Sequence, residues 1–160
     1  AAMFSREGRE LAVAEYKQDD RGGVYIIDLQ NQSVCSFLSD SDSITSMWVD
    51  DEHIYLTAYS EEDVTVGVVY CITTQGDLVW KYETTGFPDD LLAFGAESKD
   101  KLAFTVYSKL VVINKEDGSF ICETDCSFPI HPFMLFAKIS VLGICNNNPP
   151  KKSTVKTKYK

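Results

Sequence analysis

Apolar residues run along this chain in short bursts, each closed by a polar turn, and the bursts are rich in β-branched and aromatic side chains. A pattern confined to such runs predicts strands rather than helices. Three stretches share one layout. The first is Val24–Leu29, a turn at Gln30-Asn31-Gln32, then Ser33–Leu38. The second is Val68–Thr73, a turn at Thr74-Gln75-Gly76, then Asp77–Tyr82. The third is Leu110–Asn114, a turn through Glu116-Asp117-Gly118, then Ser119–Cys122. Aligning Val24, Val68 and Leu110 gives spacings of 44 and 42 residues. Each stretch reads as a hairpin, with Gly76 and Gly118 supplying the positive φ that short hairpin turns need.

A second pair of apolar runs precedes each hairpin: Met3-Phe4 before Leu11–Ala14, Ile44–Val49 before Ile54–Thr57, and Leu91–Phe94 before Leu102–Thr105. Four strands in about 45 residues make the blade of a propeller. The expected fold is therefore all-β: a partial β-propeller of about three four-stranded antiparallel blades over 1–128, with blades at about 1–43, 44–88 and 89–126. No segment between the units carries the amphipathic pattern of a crossover helix, and a β-sandwich has no reason to repeat one strand signature three times. Trp48, Trp80, Phe94 and Phe104 are the expected core rings, each worth about 1.5–3 kcal/mol on burial. Residues 129–145 read as irregular or as the start of a fourth blade, and 146–160 as a disordered, lysine-rich tail. Three blades do not close a ring, which marks the chain as a fragment, a truncated form or an incomplete reading of a gene.

Composition fits a folded protein: 160 residues, 44% hydrophobic, with a mean hydropathy of −0.12. No run is long enough to span a bilayer, and the N-terminus lacks the basic and apolar regions of a signal peptide. Charge is divided unevenly. Residues 1–150 carry 10 Lys and Arg against 24 Asp and Glu, a balance of −14, and the last ten residues carry five lysines and no acid. An acidic body repels a phosphate backbone, so no nucleic acid is expected on it, and the lysines read as a solvated end.

At these runs the sequence resembles WD40 and quinoprotein-like propellers. Phe4–Ala14 resembles the opening of a WD40 repeat and Gly23–Leu29 its close, with Ile27-Asp28 where that family has Trp-Asp. The second unit, Val69–Ile72 through Gly76-Asp77-Leu78-Val79-Trp80-Lys81, resembles the quinoprotein-type repeat, with its Gly and Trp after the turn. The resemblance covers about 3–125 and implies a scaffold that presents its rim and top face to other proteins. Neither a Gly-His pair nor an intact Trp-Asp occurs, and no F-box segment accompanies the repeats.

Candidate chemistry is sparse. The two histidines are His53, which opens a strand after an acidic turn, and His131, between two prolines; neither has a nucleophile partner in the sequence. The five cysteines, Cys35, Cys71, Cys122, Cys126 and Cys145, are odd in number and scattered. Cys35, Cys71 and Cys122 lie in strand-like runs where a thiol acts as a small hydrophobe, which points to a reducing compartment. Cys122 and Cys126 lack a second pair at zinc-ligand spacing. Asp50-Asp51-Glu52, Glu61-Glu62-Asp63 and Asp89-Asp90 lack the pattern of a calcium loop and read as solvated turns. Gly22-Gly23 ends a turn before a strand and opens no phosphate loop. The sequence thus assigns no catalytic, cofactor-binding or metal site.

What is expected is a non-catalytic protein–protein interaction module in the cytoplasm, part of a larger scaffold or adaptor, with a WD-type substrate receptor as its narrower form. Two alternatives stand beside it: a fragment of a quinone-cofactor propeller dehydrogenase, against which the lack of adjacent cysteines counts, and a truncated product without independent function.

Overall fold

A computed structural model describes residues 2–6, 9–40, 43–59, 63, 65–85, 88–93, 100–107 and 109–125. Phe94, Cys126, His131 and the region expected to hold an irregular segment and a lysine-rich tail lie outside the described residues. The described chain is built of twelve strands: β1 (Ala2–Arg6), β2 (Arg9–Gln18), β3 (Arg21–Asp28), β4 (Ser33–Leu38), β5 (Ser43–Val49), β6 (His53–Tyr59), β7 (Val66–Thr73), β8 (Leu78–Thr85), β9 (Pro88–Ala93), β10 (Lys101–Val106), β11 (Lys109–Asn114) and β12 (Phe120–Asp125). They form three four-stranded antiparallel sheets, each running in sequence order: β1 to β4, β5 to β8 and β9 to β12.

The sheets pack in series, and the middle one is covered on both faces. Toward the first sheet it presents Ile54, Leu56, Tyr70 and Ile72, which meet Leu11, Val13, Val24 and Ile26. Toward the third it presents Tyr55, Val69, Cys71 and Trp80, which meet Leu102, Phe104, Val111 and Ile113. Two-sided cover explains why Ile54–Ala58 and Gly67–Ile72 are buried without interruption and read as continuous apolar runs rather than alternating ones. Of the expected core rings, Trp80 and Phe104 are buried and Trp48 is partly buried against the same cluster.

The turns inside the three hairpins are built alike. Asp28, Thr73 and Asn114 open them, and each lends a side-chain oxygen to turn amides. Asp28 Oδ1 accepts from the N–H groups of Gln30 (3.1 Å) and Asn31 (2.9 Å). Thr73 Oγ1 accepts from those of Gln75 (3.2 Å) and Asp77 (3.1 Å), and Asn114 Oδ1 from that of Glu116 (2.9 Å). Each turn ends on a left-handed residue: Gln32 (φ 52°), Gly76 (φ 89°) and Gly118 (φ 71°).

The middle turn is one residue shorter. Thr73 closes on Asp77, whereas Asn114 closes on Ser119 and Asp28 pairs with Ser33. Counted back from the turn openers, Val24 therefore corresponds to Val69 and Leu110, and the alignment of Val24 with Val68 is off by one. The slip matters because it exchanges faces: Val68 packs toward the first sheet and Val69 toward the third. A second correction concerns Gly22 and Gly23, which lie inside β3 and not at a turn. The turn is Asp19-Asp20, with φ of 51° and 63° at its two residues, as a two-residue type I′ hairpin loop requires. Gly23 is bare because a Cβ there would stand 2.7 Å from the Phe37 carbonyl oxygen and 2.8 Å from the Tyr16 ring; that ring lies across the strand and stacks on Tyr25 at 4.2 Å.

Candidate interaction surfaces

Each joint between sheets carries the same hydrogen bond. Cys35 on β4 sits opposite Ile26, Trp80 on β8 opposite Cys71, and Cys122 on β12 opposite Val112. Ile26, Cys71 and Val112 each stand two residues before a turn opener, so these three side chains occupy one structural position. The Cys35 thiol donates to the carbonyl of Thr74 at 3.5 Å. The Trp80 indole Nε1 donates to the carbonyl of Lys115 at 2.9 Å. Thr74 and Lys115 each follow the turn opener of the next sheet, the register that Leu29 holds in the first. The Trp80 ring also lies flat on Gly118, where a Cβ would meet it at 2.8 Å.

The acidic turn Asp50-Asp51-Glu52, expected to be merely solvated, supplies the second tie at the same joint. Asp50 Oδ2 accepts from the Lys115 ammonium at 2.7 Å and from the Tyr55 hydroxyl at 3.0 Å. Its Oδ1 accepts from the backbone N–H groups of Glu52 (3.0 Å) and His53 (2.8 Å). The ammonium also stands 5.1 Å above the Tyr55 ring. Burial pushes the Asp50 carboxyl up, but the hydrogen bonds from Lys115, Glu52 and His53, together with the charge on Lys115, outweigh it and hold the group below the ordinary carboxylate range. Burial and the Asp50 charge push the Tyr55 phenol up. The same two causes carry the Cys71 thiol up to about 12, against the opposing hydrogen bond from Tyr55. A thiol so placed stays protonated at neutral pH and is a poor nucleophile. The carboxylate is filled by protein donors, and the cluster functions as a clamp.

His53 is half-buried beside this clamp, its Nδ1 3.9 Å from Asp50 Oδ1. Among the described residues no group of three or more His, Cys, Asp or Glu is arranged to hold a metal, and no helix is long and apolar enough to cross a membrane. Cys35 and Cys71 are thiols, but Cys122 is disulfide-bonded, its partner lying outside the described residues. That corrects the thiol expected at Cys122, while Cys35 and Cys71 are thiols as expected.

Among the described residues two apolar surfaces remain open. The fourth strands, β4, β8 and β12, are sheet edges. Two residues past each left-handed turn residue they carry Val34, Leu78 and Phe120, which are 64%, 52% and 53% exposed. Val79 and Ile121, next to two of them in sequence, are exposed as well. The other surface is the outward face of the first sheet, to which Val34 also belongs because it pairs with Ile27. Its Tyr25 corresponds to Tyr70 and Val111, which are 1% and 5% exposed because the preceding sheet covers them, whereas Tyr25 is 44% exposed. Its Ile27, the counterpart of fully buried Ile72 and Ile113, is only half-buried. Sequence pattern alone does not find either surface, because Val34 and Tyr25 sit in apolar runs indistinguishable from those of the core.

No family model matches the chain, and none of the curated proteins is similar enough to match. Among solved structures, the crystal structure of BamB from Moraxella catarrhalis, a β-propeller, superposes with a TM-score of 0.51 at 13% identity. The match takes in 76% of this chain and 40% of that one, so the chain spans less than half the length of the structure it resembles. At that identity the likeness is one of fold. The three sheets form a partial propeller, all-β among the described residues.

Proposed function

We propose that the chain is a non-catalytic protein–protein interaction module, a propeller fragment of a larger scaffold or adaptor. The observation that carries this reading is the stripe of Val34, Leu78 and Phe120 at one register on all three edge strands. Isolated exposed apolar residues are ordinary, but repetition at one register on three edge strands adds nothing to the core and sets such side chains on each of them. Edge strands with such side chains suit partners that add main-chain hydrogen bonds and fill shallow apolar pockets. The state of the titratable groups favours binding over chemistry: Asp50 is saturated with donors, and Cys71 is held protonated. The narrower role of a WD-type substrate receptor rests on the resemblance of residues 4–14 and 23–29 alone.

The test compares proteins retained by the immobilised chain with those retained by a Val34→Ser, Leu78→Ser, Phe120→Ser triple variant of unchanged melting temperature. Partners held by the first and lost from the second are expected. Identical sets would show that the rim is not the binding surface, and a quinone absorbance in the purified chain would overturn the non-catalytic reading.

A further inference from the structure

We propose that Asn31 is a site of N-linked glycosylation. The tripeptide Asn31-Gln32-Ser33 has the Asn-X-Ser form of the acceptor, X being any residue but proline, and the sequence holds one such tripeptide. The fold places it on the surface. Asn31 lies in the turn between β3 and β4, and Asn31, Gln32 and Ser33 are all exposed.

That exposure does not depend on what surrounds the first sheet. Counted from the left-handed turn residues, Asn31 corresponds to Gln75 in the second sheet and Asp117 in the third. Those two turns are packed against the sheet before them. A Cβ on Gly76 would stand 2.8 Å from the Ser36 carbonyl oxygen, and one on Gly118 would stand 2.8 Å from the Trp80 ring. Gln75 and Asp117 are exposed all the same. The residue before the left-handed position is therefore open to solvent even where the joint is made, as a bulky, solubilising glycan requires.

The side chain is also held in a way that the modification preserves. Asn31 Nδ2 donates to Asp28 Oδ2 at 2.9 Å, and the backbone N–H of Asn31 donates to Asp28 Oδ1 at 2.9 Å. A carboxamide has two N–H groups, and Asp28 needs one of them. The sugar donor is a lipid-linked oligosaccharide pyrophosphate. Nδ2 bonds to the anomeric carbon of the first sugar, and the bond from that carbon to the pyrophosphate oxygen breaks. The pyrophosphate leaves with the electron pair and Nδ2 gives up one proton. The product is a secondary amide with one N–H, which suffices for the bond to Asp28.

A second observation concerns the compartment. Cys122 is disulfide-bonded, and disulfides persist where the medium is oxidising, as in the secretory lumen where this transfer takes place. The thiols of Cys35 and Cys71 suit the same surroundings. Burial and the Asp77 charge raise the first, and burial and the Asp50 charge raise the second, so both are poor thiolates and resist exchange.

The experiment takes the full chain from the cells that make it and treats it with peptide N-glycosidase in heavy-oxygen water. The enzyme turns a glycosylated asparagine into aspartate carrying the heavy oxygen, and mass spectrometry reads residue 31. The expected result is labelled aspartate there, dependent on the glycosidase. Ser33→Ala, introduced in the gene, should abolish the label, and Ser33→Thr should keep it because threonine also satisfies the acceptor. Unlabelled asparagine at residue 31 of the unaltered protein, label that appears equally without the glycosidase, or label that survives Ser33→Ala would overturn the proposal. Partners that depend on Leu78 and Phe120 would survive such a failure, so the two readings fall separately.

Discussion

The indole of Trp80 and the main chain of Lys115 are joined by a 2.9 Å hydrogen bond across the gap between the second and third sheets. Lys115 answers with its other end: its ammonium returns to the second sheet and meets Asp50 at 2.7 Å. One residue of the third sheet is thus held at backbone and side chain by two strands' ends of the second. The ion pair is largely shielded, with side-chain exposures of 13% and 20%.

Trp80 should show two separable contributions. Trp80→Phe removes the indole donor and leaves most of the ring on Gly118, and should cost about 1 kcal/mol. Trp80→Ala removes both and should cost about 3–5 kcal/mol. Urea unfolding of the two variants measures the difference; equal losses would mean that the hydrogen bond, and not the stacked ring, holds the joint.

Removing one partner of the Asp50–Lys115 pair strands the other, so Asp50→Asn and Lys115→Met should each cost about 2 kcal/mol. The double variant should cost less than their sum, a coupling that a mutant cycle reads directly. The carboxyl is held below its ordinary value, so its contribution is complete above the ordinary carboxylate range and is lost as pH falls through the folded value. Acid unfolding should accordingly be less steep in Asp50→Asn. An unchanged acid limb would remove the clamp from the list of stabilising contacts.

At the alkaline end the sign reverses. Cys71 titrates at about 12 in the fold against an ordinary 9.0, so between those values the unfolded chain gives up a proton the folded chain keeps. Stability should fall with rising pH there, by up to about 1.4 kcal/mol per pH unit from this group. Cys71→Ala should flatten that slope while lowering stability at neutral pH through the cavity it leaves. Equal alkaline slopes in the two proteins would contradict the burial that raises the thiol.

The left-handed turn positions predict opposite outcomes for opposite exchanges. Gly118→Ala drives a methyl into the Trp80 ring at a φ of 71° and should destabilise by more than about 1 kcal/mol. Gln32→Gly, at a φ of 52°, relieves a side chain from the same backbone region and should be neutral or stabilising by a few tenths, on the order of 0.5 kcal/mol. Thermal melts decide between these directions.

The repeat was legible because its punctuation is local. Gly76, Gly118 and the β-rich runs around them announce hairpins, and their recurrence announces sheets of one kind. The one-residue difference among the turns was not legible, because Thr73–Asp77 and Asn114–Ser119 both read as polar turns with a glycine; only the closing hydrogen bonds show which residue opens each. The Asp50–Lys115 clamp joins residues 65 apart in sequence, and an acid in a run of three acids gives no sign that one of them is turned inward. Trp80 stood out as a core ring, but its specific role depends on Lys115 and Gly118 arriving from the next sheet.

At the joints the receiving group is a peptide carbonyl. Thr74 and Lys115 have no side-chain chemistry in common, and the donors that reach them are as unlike as a thiol and an indole. A lock whose keyhole is main chain asks nothing of the residue that houses it. Lineages of such repeats are then at liberty to rewrite both letters of the pair while the architecture stands, and kinship survives in where the backbone turns long after it has faded from spelling.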